Sequence, residues 1–123
     1  MSQYKIGSLF RGPKIRKLKE KIAKLRKIMP AEACILSLMY QHRAAKLYDL
    51  TEIADNLLEG KVVPLSYYLV EFNDEKSLIT GGRDINDALN AVKTFNRDVK
   101  EVASVSSHHD GCLLPVPTDH QTE

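Results

Sequence analysis

Residues 11–27 read RGPKIRKLKEKIAKLRK, nine Lys or Arg against a single Glu. Cations at this density suit one kind of chemistry, the neutralisation of a row of anions with release of their counter-ions. The charge of the chain is split around them. Residues 1–29 carry ten cations and one anion, Glu20, for a net +9, while residues 30–123 carry eight cations and fifteen anions, for −7. The two parts sum to the formal +2 of the whole chain, which conceals a basic segment on an acidic body. That asymmetry points to an anionic partner: nucleic acid, an acidic protein or a charged membrane surface. The candidate nucleic-acid-binding residues are Arg11, Lys14, Arg16, Lys17, Lys21, Lys24, Arg26 and Lys27.

The cations are interleaved with Ile15, Leu18, Ile22, Leu25 and Met29, at steps of 3, 4, 3 and 4, which predicts one amphipathic helix with a narrow apolar stripe. Gly12-Pro13 would open it, with Pro in the first turn where its missing N–H costs nothing. Such a helix is electrostatically frustrated. Cations crowd its positive end, and like-charged neighbours such as Lys17/Lys21 repel by about 0.2–0.5 kcal/mol each. The helix therefore gains from a counter-charge, which either the chain's own body at −7, with the stripe docked and the cations solvated or paired, or an anionic partner would supply. If the stripe docks on the chain's own core, Arg16, Lys17, Lys24 and Lys27 face away from it at about 100° per residue and are available to phosphates. If the stripe is exposed, Ile15, Leu18, Ile22, Leu25 and Met29 would instead fill a groove on a partner whose acidic rim takes the lysines.

Other chemistry-bearing residues form weaker patterns. His108, His109 and Cys112 have ligand types that suit zinc, but one cluster without a second ligand pair is not the pattern of a structural site, so no metal is expected. SVSSHHD brings Ser, His and Asp together in sequence, whereas triads assemble in space from distant positions. His42 stands alone beside Arg43 in an apolar stretch and reads as a packing or surface residue. Gly81-Gly82 precedes a helix start, a geometry that can cradle phosphate. Asp84 and Asp87 occupy that start and would repel an anion, so turn and capping chemistry is the expectation. Cys34 and Cys112 read as free thiols. No paired carboxylates or activated nucleophile emerge, so the expectation is a non-enzyme without a cofactor.

The elements that must position the basic segment follow from periodicity. A second helix, about residues 31–48, is apolar nearly all round (Cys34, Ile35, Leu36, Leu38, Met39, Ala44, Leu47) and should be central. Asp49-Leu-Thr-Glu52 resembles a capping box for a third helix that ends at Gly60. Residues 65–72 and 77–80 flank a polar break, which predicts a hairpin. Asp84 should cap a helix carrying Ile85, Ala88, Leu89, Val92 and Phe95 and closing at Asn96. A third strand is predicted at 99–105, and from residue 106 the prolines and absent period predict a loop or tail.

The fold class expected is therefore α+β: three helices, then a β-β-α-β unit with a small, mostly antiparallel sheet. The expected organisation is a basic helix over 1–29, a compact body over 30–105 and a tail over 106–123. LTEIADNL (50–57) resembles the second helix of many helix-turn-helix proteins. That resemblance implies a winged-helix unit in which 64–72 is the recognition helix. The segment VPLSYYLVEFND, however, holds two carboxylates and no Lys or Arg, unlike a helix that reads base edges. The N-terminus shows no apolar region after its basic residues, and no run approaches a membrane span, so a cytoplasmic location is expected. Together these readings describe a small binding or regulatory protein that contacts nucleic-acid phosphates through its basic helix. The alternative is a protein–protein adaptor or inhibitor that uses the stripe and its basic rim.

Overall fold

The computed structural model describes the backbone of residues 2–108 and the side chains of residues 12–107. Over these residues the chain forms α1 (Ser2–Ile28), α2 (Pro30–Gln41), α3 (Leu47–Leu58), β1 (Ser66–Phe72), β2 (Ser77–Gly82), α4 (Ile85–Thr94), a 3-10 turn (Val99–Glu101) and β3 (Val102–His108). This is the α+β class, with helices first and a β-β-α-β unit after them. The sheet is antiparallel in the order β2-β1-β3, so the most apolar strand lies in the middle.

The hairpin forms where the polar break placed it. Glu71 pairs with Ser77, the Phe72 amide donates to the Lys76 carbonyl at 2.8 Å and the Glu75 amide donates to the Phe72 carbonyl at 3.1 Å. Glu75 closes the turn at φ 70°, in the left-handed region. Strand alternation then sends Tyr68, Val70 and Phe72 to one face, where they pack with Ala88 and Val92 of α4. Tyr67 points the other way into the larger core. Gly81 lies opposite Tyr67 in register, and there the β2 backbone touches α2.

The larger core joins the three helices. Leu18, Ile22 and Leu25 of α1 are buried with Ala33, Leu36 and Met39 of α2 and Leu50, Ile53 and Leu57 of α3. Each fully buried Leu or Ile contributes roughly 1.5–3 kcal/mol relative to exposure. Met29 breaks α1 from α2, and Pro30 starts α2 at the position where a missing N–H is harmless.

Several boundaries differ from the expectation. Helix α1 does not begin at Gly12-Pro13 but runs from Ser2 with Pro13 inside it. A single proline removes one hydrogen bond of a helix that has many others, and the packed stripe beyond it holds the segment. The predicted helix 31–48 is two helices. It stops after Gln41 because Arg43 adopts φ 53°. The Arg43 amide then donates to Tyr40 O at 3.3 Å and the Ala44 amide to Met39 O at 2.9 Å, a Schellman closure with buried Ala44 against Met39. Side chains of α4 complete the turn, with Thr94 Oγ1 donating to His42 O at 2.7 Å and Asn90 Nδ2 to Ala44 O at 3.5 Å. Helix α3 accordingly starts at Leu47, and the Asp49 capping box does not form. Gly60 (φ 85°) and Asn96 (φ 56°) end α3 and α4 as expected.

The third strand lies three residues later than predicted. Asp98 caps a 3-10 turn over 99–101, its Oδ1 accepting from the Lys100 amide at 3.0 Å. Ser106 and Ser107, expected in the tail, pair with Leu69 and Tyr68, since backbone pairing does not require apolar side chains. Residues 109–123 lie outside the described residues. Because 66–72 is the central strand, the winged-helix arrangement has no recognition helix and does not hold. Gly81-Gly82 belongs to β2 rather than to a turn. Leu69, whose place in an apolar run predicts burial, and Leu89 of the α4 apolar face are only partly buried, and Phe95, the C-cap of α4, is 48% exposed.

Candidate nucleic-acid interface

Helix α1 seats its stripe between α2 and α3, so its two flanks face different neighbours. On the α2 side, the Lys19 ammonium lies 5.9 Å from the centroid of the Tyr40 ring, and Arg26 Nη2 donates to Ser37 Oγ at 3.1 Å. On the α3 side, Lys21 Nζ meets Asp55 Oδ1 at 2.5 Å. Part of the counter-charge that the basic helix needs is therefore supplied internally. These contacts occupy three of the eight cations of the segment whose side chains are described, along the flanks of the helix.

Lys14, Arg16, Lys17, Lys24 and Lys27 are exposed and make no ion pair or hydrogen bond among the described residues. At about 100° per residue Arg16 and Lys27 lie opposite the buried stripe, and Lys17 and Lys24, seven residues apart, lie together on the flank between that outward side and α3. Glu20, the lone anion of the segment, is exposed on the same outward side. The side chain of Arg11 lies outside the described residues. Leu18, Ile22 and Leu25 are buried, Met29 packs partly buried against their cluster and Ile15 is partly buried, so most of the stripe is occupied within the chain.

A cleft opens where α1 passes the start of α3. Lys14 and Lys17 line it from α1, and Lys46, Leu47, Tyr48 and Thr51 line it from α3, around a volume of about 560 Å³. Among the described residues no carboxylate lines it. Lys46 is the N-cap of α3 and makes no side-chain cap bond, and Thr51 Oγ1 turns back to donate to Leu47 O at 2.9 Å. Tyr48 is 74% exposed. Lys46 and Tyr48 were not readable as site residues from sequence, because a helix continuing through 42–46 would have placed them at its end. The break rests on Arg43 in a left-handed conformation, a role that Gly or Asn ordinarily signals.

The other charged groups are built into the fold. Asp87, buried at the start of α4, accepts from the Arg83 amide at 2.8 Å, from Nε at 2.9 Å and from Nη2 at 3.1 Å. Asp84 Oδ1 accepts from the Asp87 amide at 3.1 Å. The start of α4 is thus filled by its own carboxylates, as the sequence suggested, and is no phosphate cradle. Hydrogen bonding to Asp87 holds the Arg83 guanidinium even more firmly protonated than usual. Arg97 bridges Asp74 and Glu101 and lies 4.0 Å from the Phe72 ring centroid.

His42 is half-buried, its ring 5.3 Å from that of Phe95, and desolvation lowers its pKa. Burial pushes the Tyr67 hydroxyl up to about 12, with the Cys34 thiol beside it adding to the shift. Cys34 is a buried free thiol. Among the described residues no group of three His, Cys, Asp or Glu could hold a metal. His109 and Cys112 lie outside the described residues, as does the side chain of His108. No described helix is long and apolar enough to cross a membrane.

No protein-family model, curated protein or solved structure matches this chain.

Proposed function

We propose that the protein is a small, non-enzymatic binding or regulatory protein that holds nucleic acid by its phosphates on the outward face of α1, acting in the cytoplasm without a cofactor. One observation carries this reading: Arg16, Lys17, Lys24 and Lys27 are exposed and make no ion pair or hydrogen bond among the described residues, while Leu18, Ile22 and Leu25 are buried. A helix docked on its own core, with its free cations turned to solvent, suits a polyanion that needs no insertion of apolar side chains. The adaptor alternative required the stripe for a partner's groove, and Leu18, Ile22 and Leu25 are occupied in the core.

The test is charge reversal. Replacing Arg16, Lys17, Lys24 and Lys27 by Glu should abolish retention on oligonucleotides while leaving the circular-dichroism spectrum and the denaturation midpoint nearly unchanged, because exposed substitutions typically alter stability by no more than about 0.5 kcal/mol each. Undiminished binding by a folded quadruple variant would refute the proposal.

A further inference from the structure

Tyr48 stands largely exposed in a cleft that, among the described residues, is lined also by Lys14, Lys17, Lys46, Leu47 and Thr51. An aromatic ring in solvent beside three cations has both parts of a nucleotide site: a flat apolar surface for a base, and positive charge for the phosphates on either side of it. The cleft volume, about 560 Å³, falls within the range of small-molecule sites of roughly 300–1,000 Å³. Leu47 extends the apolar wall, and no described carboxylate opposes an anion there. A duplex keeps its bases stacked inside and could use only the charges. A single strand can turn one base onto the ring.

From this we infer that the cleft between α1 and the start of α3 prefers single-stranded nucleic acid, one base stacking on Tyr48 while Lys14, Lys17 and Lys46 hold the flanking phosphates. The inference rests on the phosphate-binding reading of α1 and adds a base-dependent contact to it.

The experiment is fluorescence anisotropy with labelled oligomers of about 12 nucleotides, a length within the range that a small single-strand site covers. The probes are oligo-dT, oligo-U, an abasic strand with the same phosphates, and a duplex of equal length. The proteins are the wild type, Tyr48→Ala, Tyr48→Phe and the triple variant Lys14→Gln, Lys17→Gln, Lys46→Gln. The wild type should bind at least one of the two base-bearing single strands about ten-fold tighter than the abasic strand or the duplex. Tyr48→Ala should erase that advantage and Tyr48→Phe should keep it. The triple variant should weaken every probe, the abasic strand included. Equal binding of base-bearing and abasic strands, or full retention of the preference by Tyr48→Ala, would overturn the stacking inference and leave phosphate binding by α1 standing. Absence of binding to all four probes by the wild type would overturn both.

Discussion

Lys21 reaches from α1 to Asp55 on α3, Nζ to Oδ1 at 2.5 Å, and this pair divides the basic helix into cations that hold the fold and cations that face outward. Both side chains are partly exposed, so the pair is worth no more than about 1 kcal/mol. Lys21→Met should lower the denaturation midpoint slightly and leave oligonucleotide affinity almost unchanged. Lys24→Met should do the opposite. Parallel urea titrations and binding titrations check this crossed pattern, and equal losses of affinity in the two variants would contradict it.

Gly81 is a packing residue. A Cβ at this position would stand 2.6 Å from both Cγ2 and the carbonyl oxygen of Ile35. The side-chain atom can move, but the backbone oxygen belongs to α2 and cannot move without shifting the helix. Gly81→Ala should therefore destabilise by about 2 kcal/mol or more, the scale of core overpacking. Added to Ile35→Ala, which removes Cγ2, Gly81→Ala should still cost most of that amount, because the Ile35 carbonyl oxygen remains. Chemical denaturation of the single and double variants measures both quantities, and a single-variant loss under about 0.5 kcal/mol would disprove the close approach.

Arg43 decides between one helix and two. In a continuous helix, Arg43→Gly would cost about 1 kcal/mol. At φ 53° the same substitution relieves a left-handed strain of roughly 1–2 kcal/mol, less the entropy that Gly adds to the unfolded chain. The variant should be as stable as the wild type or more so, by up to about 1 kcal/mol. Thermal unfolding gives the sign, and clear destabilisation would argue for the uninterrupted helix.

The lowered pKa of His42 ties stability to pH. Its ordinary value is 6.5, and desolvation places the folded-state value below that. Above about pH 6.5 the ring is neutral in both states and contributes no slope. As pH falls below 6.5 the unfolded chain takes up the proton first, so stability declines until the folded-state pKa is passed. His42→Gln should reduce the loss measured between about pH 7.5 and pH 5.5. An unchanged pH dependence in urea titrations of the variant would show that His42 is not desolvated.

Much of this architecture could be read in the residues, and the exceptions have physical causes. The stripe Leu18, Ile22 and Leu25 announced an amphipathic helix through its period, though not what would cover it, and the polar break at 73–76 announced the hairpin. Asp84, Gly60 and Asn96 announced helix ends because each has an ordinary capping role. The division of α2 from α3 was hidden, because its left-handed residue is Arg43 and its carbonyls are satisfied by Thr94 and Asn90 from far along the chain. β3 was displaced because Asp98 spends 99–101 on a capped turn and serines continue the ladder. The basic face was legible as charge. Its sorting into Lys21 and Arg26, which face the body, and Lys17, Lys24 and Lys27, which face solvent, required the positions of Asp55 and Ser37. The cleft at Tyr48 depends on the hidden break and could not be read beforehand.

The most direct test of the central claim is the salt dependence of affinity for a nucleic-acid strand, measured by anisotropy from about 50 to 300 mM monovalent salt. If the exposed cations of α1 neutralise three or four phosphates, log affinity should fall linearly with log salt at a slope of about −3. The variant with Arg16, Lys17, Lys24 and Lys27 replaced by Glu should show no binding from which to derive a slope. Affinity that does not change with salt, or no binding at the lowest salt, would contradict the account.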